Sequence, residues 1–374
     1  MAGIYIHIPF CIQKCGYCDF YSLVRLTDKS DFVSALCKEI RERKNELNGE
    51  AIQTIYFGGG TPSLLQKKDF EKIINTLSIN YDLSKLEEFT VEVNPDDINK
   101  EYVEDLSELG FNRLSLGVQS FNDRILAFMN RRHNAEEAVQ AVQLSQNSGF
   151  DNISIDLIYG IPDMSAEEWE NSIDKSLSLH VQHISAYHLT FEPGTVFYKK
   201  LKKNRIKEVD DKISAEQYSK LIHKLEKGGF QDYEISNFCK PGFESKHNSS
   251  YWSGSSYLGF GPSAHSYSGT TRRWNISDLK EYIGRVQNDE ICYEEETLSE
   301  KDIYNETIML GLRTNKGVDL NSIYKMNTRF VDLFKETKSK NIILKNTFEQ
   351  DGYLKMCKDK KILTDRIISD FFMA

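Results

Sequence analysis

Six short β-rich runs alternate with amphipathic runs over the first two-thirds of the chain, and this alternation limits the fold more than any other feature. The β-rich runs are "GIYIHI" (3–8), "IQTIYF" (52–57), "EFTVEV" (88–93), "NRLSLGV" (112–118), "NISIDLI" (152–158) and "HISAYHL" (183–189). Between them lie stretches such as "KSDFVSALCKEIRERKNEL" and "NAEEAVQAVQLSQNSG", with apolar residues at helical spacing. Two of these stretches stop at Gly110 and Gly149, as helix ends do. Repeated β/α units imply parallel strands joined by right-handed crossovers. A doubly wound sheet shares that pattern, so the choice rests on where the polar residues fall. They fall at the carboxyl ends of the runs: "GGGTP" after the second, Glu92 and Asn94 at the third, Gln119 at the fourth, Asp156 at the fifth, and Tyr187 to Thr190 at the sixth. Strand ends of a barrel converge on one mouth, where sites are built. The reading is an α/β fold with an incomplete (β/α)6 barrel of the TIM type over residues 1–235, open on one side.

Beyond about residue 205 the alternation fails. Residues 236–295 read as a connecting segment rich in Gly, Ser and aromatics, and 296–374 as a small, α-rich, winged-helix-like domain with a β-hairpin. A chain of 374 residues accommodates this division. Its net charge of −9 argues against nucleic acid as the main partner. No apolar run reaches the roughly 18–20 residues that a membrane span needs. The start "MAGIYIHIPF" lacks a basic region and a cleavage site. A cytoplasmic protein with reduced thiols is expected, since seven unevenly spaced cysteines do not read as a disulfide framework.

Three of those cysteines, Cys11, Cys15 and Cys18, stand together in "CIQKCGYC". Structural burial explains a single cysteine well but three in a Gly- and Pro-flanked loop poorly. Zinc would need a fourth ligand, which His7 could supply. An iron–sulfur cluster is the third reading, and it explains why three thiolates suffice. A cubane cluster so held keeps one iron free to chelate the amino and carboxylate groups of S-adenosylmethionine. The C-x3-C-x-aromatic-C spacing, with Tyr17 in the aromatic position, fits this reading. In "YFGGGTP" the glycines Gly59 and Gly60, with Thr61, allow close backbone approach to a ligand. Glu92 and Asp156 are costly on apolar strands unless paired, and Arg131 could meet a ligand carboxylate.

These segments, together with "VEVNPDD", "NRLSLGVQSFNDRILAFMNRRH" and "ISIDLIYGIPD", resemble the oxygen-independent coproporphyrinogen III oxidase group of radical S-adenosylmethionine proteins. The likeness spans roughly residues 3–270. It implies that Cys11, Cys15 and Cys18 ligate a 4Fe-4S cluster. It also implies that Tyr5, Tyr17, Gly59, Gly60, Thr61, Glu92, Gln119, Arg131 and Asp156 surround S-adenosylmethionine, with Thr190 at a less similar position. Within that group the coproporphyrinogen dehydrogenases carry a further cysteine where this chain has Phe20. The HemW-like heme chaperones instead show "CDF", as at Cys18-Asp19-Phe20, and an H-N-x-x-Y motif, here "HNSSYW" from His247 to Trp252. The resemblance therefore implies a heme chaperone, with His247 and Tyr251 in the heme site. Its expected partners are heme, an acceptor protein such as a membrane respiratory protein, and an electron donor for the cluster. The alternative is a coproporphyrinogen III dehydrogenase or another porphyrin-modifying radical enzyme. Cys37, Cys239, Cys292 and Cys357 read as structural.

Overall fold

The structure, a computed structural model, describes residues 2–373. In chain order the elements are β1 (Ala2–Ile8), α1 (Lys29–Glu42), β2 (Ile52–Gly59), α2 (Lys67–Asn80), β3 (Glu88–Val93), α3 (Lys100–Glu108), β4 (Arg113–Gln119), α4 (Asp123–Phe128), α5 (Ala135–Asn147), β5 (Ile153–Tyr159), α6 (Ala166–Ser178), β6 (His183–His188), α7 (Val196–Lys202) and α8 (Asp211–Lys227). There follow β7 (Gln231–Asp232), β8 (Asn237–Cys239), α9 (Lys246–Trp252), β9 (Tyr257–Phe260), β10 (His265–Tyr267), β11 (Thr271–Asn275), α10 (Leu279–Gln287) and β12 (Tyr293–Thr297).

Strands β1 to β6 pair in sequence order and all run parallel. Apart from the exposed end of β6 they are largely buried, the outer face under the crossover helices and the inner face toward the barrel interior. The period of two divides each strand. On β1, Ile4, Ile6 and Ile8 are fully buried on one face, while Tyr5 and His7 point to the other. Local signals set the helix limits. Capping boxes at Asn134–Glu137 and Ser165–Glu168 start α5 and α6. Gly110, at φ +89°, lies just beyond the end of α3, where a residue with a Cβ would be strained.

The sheet does not close. Its neighbour order runs β12-β11-β10-β9-β1-β2-β3-β4-β5-β6-β8-β7, with two free ends. Residues 236–295 carry more regular structure than their composition suggests. Strand β9 joins β1 in parallel, and β8 joins β6 antiparallel. Leu258, Phe260, Leu279, Tyr282, Val286 and Cys292 belong to the same apolar core as the barrel. These strands are only three to five residues long, too short to leave a readable period.

The remaining elements are α11 (Glu300–Leu312), β13 (Val318–Asp319), α12 (Leu320–Tyr324), α13 (Thr328–Ile343), β14 (Thr347–Gln350), β15 (Tyr353–Met356) and α14 (Thr364–Phe371). They enclose a second core of their own, built on Tyr304, Ile308, Phe330, Phe334, Leu354 and Phe371. Helix, strand, two helices and a hairpin is the element order of a winged helix, with sheet order β13-β15-β14.

Candidate functional site

The carboxyl ends of β2 to β6 and the loop after β1 surround a cavity of about 320 Å³. Cys11, Cys15, Tyr17, Cys18, Gly59, Gly60, Thr61, Glu92, Gln119, Arg131 and Asp156 all line it, and so does Thr190. Residues up to 179 positions apart in sequence thus meet at one mouth because parallel strands end together.

The three thiols sit on one wall. Cys11 Sγ accepts a hydrogen bond from Thr61 Oγ1 at 3.4 Å, and Cys15 Sγ from Arg131 Nη1 at 3.3 Å. Burial pushes the Cys18 thiol up to about 11 in the metal-free protein, so ligation there must displace a proton. The loop is held from outside: Gly16 N–H donates to Met129 O, and Phe197 N–H donates to Gly16 O. A Cβ on Gly16 would lie 2.4 Å from the Phe197 ring, so only glycine fits between Cys15 and Cys18 there. His7 does not complete a metal set. Its Nε2 bonds Tyr21 O at 2.8 Å, its Nδ1 meets Tyr5 OH at 3.2 Å, and it is absent from the cavity wall.

Beside the thiols lie groups suited to an amino acid headgroup, with Arg131 in direct contact with Cys15. Glu92 accepts from Tyr56 OH at 2.8 Å and from Gly59 N–H at 3.1 Å. Burial, with the nearby Asp156 charge, raises its carboxyl from 4.5 to about 7 despite these bonds. Asp156 is raised to about 6, again by burial first, although Ser185, Arg113 and Arg131 act to lower it. Arg131 is fixed by Asn94 Oδ1 at 2.8 Å and Gly117 O at 2.6 Å. Its Nε is buried without a hydrogen-bond partner, a donor that a bound carboxylate would satisfy. Gln119 adopts φ +67° at a break in the β4–β5 register. Such a conformation in a residue other than glycine is uncommon and concentrates at functional sites.

The cavity holds the residue types that both expected groups need: three thiols, a carboxylate for an ammonium, and an arginine for a carboxylate. A cluster held there would supply the electron that cleaves the carbon–sulfur bond of S-adenosylmethionine. The glycines serve a second purpose. At Gly59, φ +107°, a Cβ would meet the His7 ring at 2.6 Å, and at Gly60 it would meet Phe10 O at 2.7 Å. Their lack of side chains is demanded by protein packing as well as by any ligand.

Tyr5, His247 and Tyr251 lie outside the cavity wall. His247 is 1% exposed and plugs the barrel interior from α9. Its Nδ1 bonds Thr54 Oγ1 and its Nε2 bonds Tyr251 OH, both at 2.8 Å. Its backbone N–H donates to Glu88 Oε1. Burial lowers its pKa to about 3, so the imidazole is neutral. It stacks on Tyr56 at 5.1 Å, and Tyr5 stacks on both. Trp252 of the same helix faces elsewhere, into a cleft of about 590 Å³ that α9 shares with the carboxyl-terminal domain. Tyr233, Tyr267 and Tyr353 also line that cleft, and the Trp252 Nε1–H is buried without a partner.

Sequence reasoning passed over Tyr56, Ser115 and Ser185. Ser115 shares its strand phase with Gln119 and Ser185 with Tyr187, whereas Tyr56 is out of phase with Gly59 on β2. It also passed over Arg113, buried at 1% and acting on Glu92, Asp156 and His247.

Comparison with known proteins gives consistent matches. Residues 5–175 match the Radical SAM superfamily model, and 298–360 match the HemN C-terminal domain model. Heme chaperone HemW of Bacillus subtilis is 39% identical, covering 85% of both chains. The proteins of that name from Lactococcus lactis and Mycobacterium tuberculosis are 36% and 33% identical, covering 84% and 85% of this chain, and 82% and 83% of theirs. In structure, coproporphyrinogen III oxidase (HemN) from Escherichia coli superposes with a TM-score of 0.84 at 22% identity, over 99% of this chain and 89% of that one, which speaks to the fold. The family implies a 4Fe-4S cluster and S-adenosylmethionine as cofactors. The chain belongs to the HemW family of radical S-adenosylmethionine proteins.

Proposed function

We propose that this protein is a heme chaperone, which binds heme through the "HNSSYW" region and passes it to an acceptor protein. The observation that carries this reading is the position of α9. Its inner face seats His247 and Tyr251 in the barrel, against Tyr56, the residue that hydrogen-bonds Glu92. Its outer face presents Trp252 to the cleft shared with the carboxyl-terminal domain. A flat apolar ligand with a polar rim suits a cleft lined by one indole and three phenols. His247 serves as iron ligand only if α9 lifts, because both ring nitrogens are engaged with α9 in place. Its neutral state is the one that ligation requires. The relatives named as heme chaperones, and Phe20 in place of a fourth cysteine, support the same reading.

In this account Cys11, Cys15 and Cys18 hold the cluster. Arg131, Glu92, Asp156, Gln119, Thr61 and the Gly59–Gly60 backbone hold S-adenosylmethionine. Tyr5 and Tyr17 support that site from beneath and beside it. Residues 1–235 form the cofactor barrel, 236–295 carry the heme motif, and 296–374 form the domain that closes the cleft. The chaperone acts in the cytoplasm, with a separate protein reducing the cluster.

The test is hemin titration of the anaerobically reconstituted protein and of His247→Ala and Trp252→Ala variants, beside a coproporphyrinogen III decarboxylation assay. The expected result is a Soret band that shifts in His247→Ala, weaker binding in Trp252→Ala, and no carbon dioxide release. Decarboxylation with no stoichiometric heme binding would instead favour the dehydrogenase reading.

A further inference from the structure

Helix α7 carries a charge feature that the cofactor and heme sites leave unused. From Pro193 to Lys207 the sequence is "PGTVFYKKLKKNRIK", with six cations and no anion, in a chain of net charge −9. Among the described residues Lys199, Lys200, Lys202, Lys203, Arg205 and Lys207 form no ion pair, while the structure pairs several other lysines and arginines near the surface. Five of the six are exposed, and Lys200 is half-buried. An unneutralised cluster of this kind is unfavourable on its own, and it creates a strong local field.

Its position is specific. Phe197, buried on the inner face of α7, bonds through its N–H to Gly16 O between the cluster cysteines, and its ring lies 6.4 Å from Tyr17. Lys200 sits over the rings of Phe197 and Phe128, at 5.6 and 5.8 Å. The basic run is therefore separated from the cysteine loop by one aromatic layer. Beside it the loop exposes Ile12 and Phe20, and α7 exposes Val196. Apolar groups next to a one-sign field suit a small, transient contact steered by charge.

We propose that α7 and the adjacent cysteine loop form the docking surface for an acidic one-electron carrier protein that reduces the cluster. This rests on the cluster assignment to Cys11, Cys15 and Cys18. One electron passes from carrier to cluster; the carrier is oxidised by one unit, the cluster is reduced by one, and no bond or proton is exchanged. Charge complementarity selects an acidic partner. The placement beside the thiols, and not beside the heme motif, selects a redox partner over the heme acceptor.

The test uses a purified acidic flavodoxin as probe and reads binding before any turnover. Affinity for the metal-free chain is measured by fluorescence anisotropy across a salt series. The variant Lys199→Gln, Lys202→Gln, Lys203→Gln, Lys207→Gln is compared with a control of equal charge change, Lys325→Gln, Lys340→Gln, Lys345→Gln, Lys355→Gln. The first variant is expected to bind about tenfold or more weakly with a flatter salt dependence, and the control to bind as the unaltered chain. In reconstituted protein, cluster bleaching by the reduced flavodoxin slows in the first variant, while bleaching by dithionite is unchanged, which shows that the cluster itself is intact. Equal flavodoxin affinity in both variants would overturn the proposal. So would loss of binding to phosphatidylglycerol vesicles in the first variant with flavodoxin binding retained, which would make the surface a membrane contact.

Discussion

Glu92→Gln offers the sharpest physical check on the cavity at the barrel mouth, because its effect on stability should change with pH. In the folded protein the Glu92 carboxyl titrates at about 7, against an ordinary value of 4.5. The folded state therefore binds more protons than the unfolded state between those values. Stability must fall as pH rises through this window, and the loss is complete above about pH 7. The full shift corresponds to about 3 kcal/mol. The cavity admits water, which screens part of it, so about 2 kcal/mol is the reasonable size. Glutamine removes the charge but turns an amide N–H₂ toward a site that the Gly59 N–H also faces, a cost of about 1 kcal/mol that does not vary with pH. Urea unfolding of the reduced, metal-free protein, followed through the buried Trp169, gives the measurement at pH 5 and pH 8.5. The variant is expected to be equal to or slightly less stable than the unaltered chain at pH 5, and to gain about 2 kcal/mol relative to it by pH 8.5. A difference that stays constant across that range would refute the assigned burial and charge of Glu92.

Three further outcomes follow from the same geometry. Arg131→Met removes the donors to Cys15, Asn94 and Gly117 together with the unpaired Nε; S-adenosylmethionine affinity by calorimetry should fall about a hundredfold, as expected for a lost charged contact of about 3 kcal/mol. Gly59→Ala places a Cβ 2.6 Å from His7 at φ +107° and should lower stability by about 2 kcal/mol or more, read as a shifted urea midpoint. Phe20→Cys adds a thiol at the cavity rim, where residue 20 is 63% exposed; the reconstituted variant should keep its cluster spectrum and still release no carbon dioxide from coproporphyrinogen III.

The parallel barrel strands were legible because each is long enough to show a buried apolar face and a polar carboxyl end. Their observed limits, such as Ile153–Tyr159 for the run read at 152–158, differ by a residue or two. The cysteine loop was legible as a group because its three cysteines fall within eight positions of sequence. Other features depend on contacts across the chain. The burial of His247 could not be read from "HNSSYW", since it comes from Thr54 and Tyr56 on β2, nearly two hundred positions earlier. The short strands β8 to β12 gain their stability from edges of the sheet that exist only after the barrel forms. The basic run on α7 was plain in the sequence, but its meaning depends on Phe197 packing against Gly16.

Directed heme transfer is the decisive measurement for a heme chaperone. Hemin-loaded, reconstituted protein is mixed with an apo heme protein in proteoliposomes, and separately with a passive heme trap, while the Soret spectrum is followed. Transfer to the apo protein is expected to be faster than release to the trap, with Trp252→Ala losing hemin to the trap more readily. Equal rates to acceptor and trap, or no stoichiometric hemin complex at all, would contradict it.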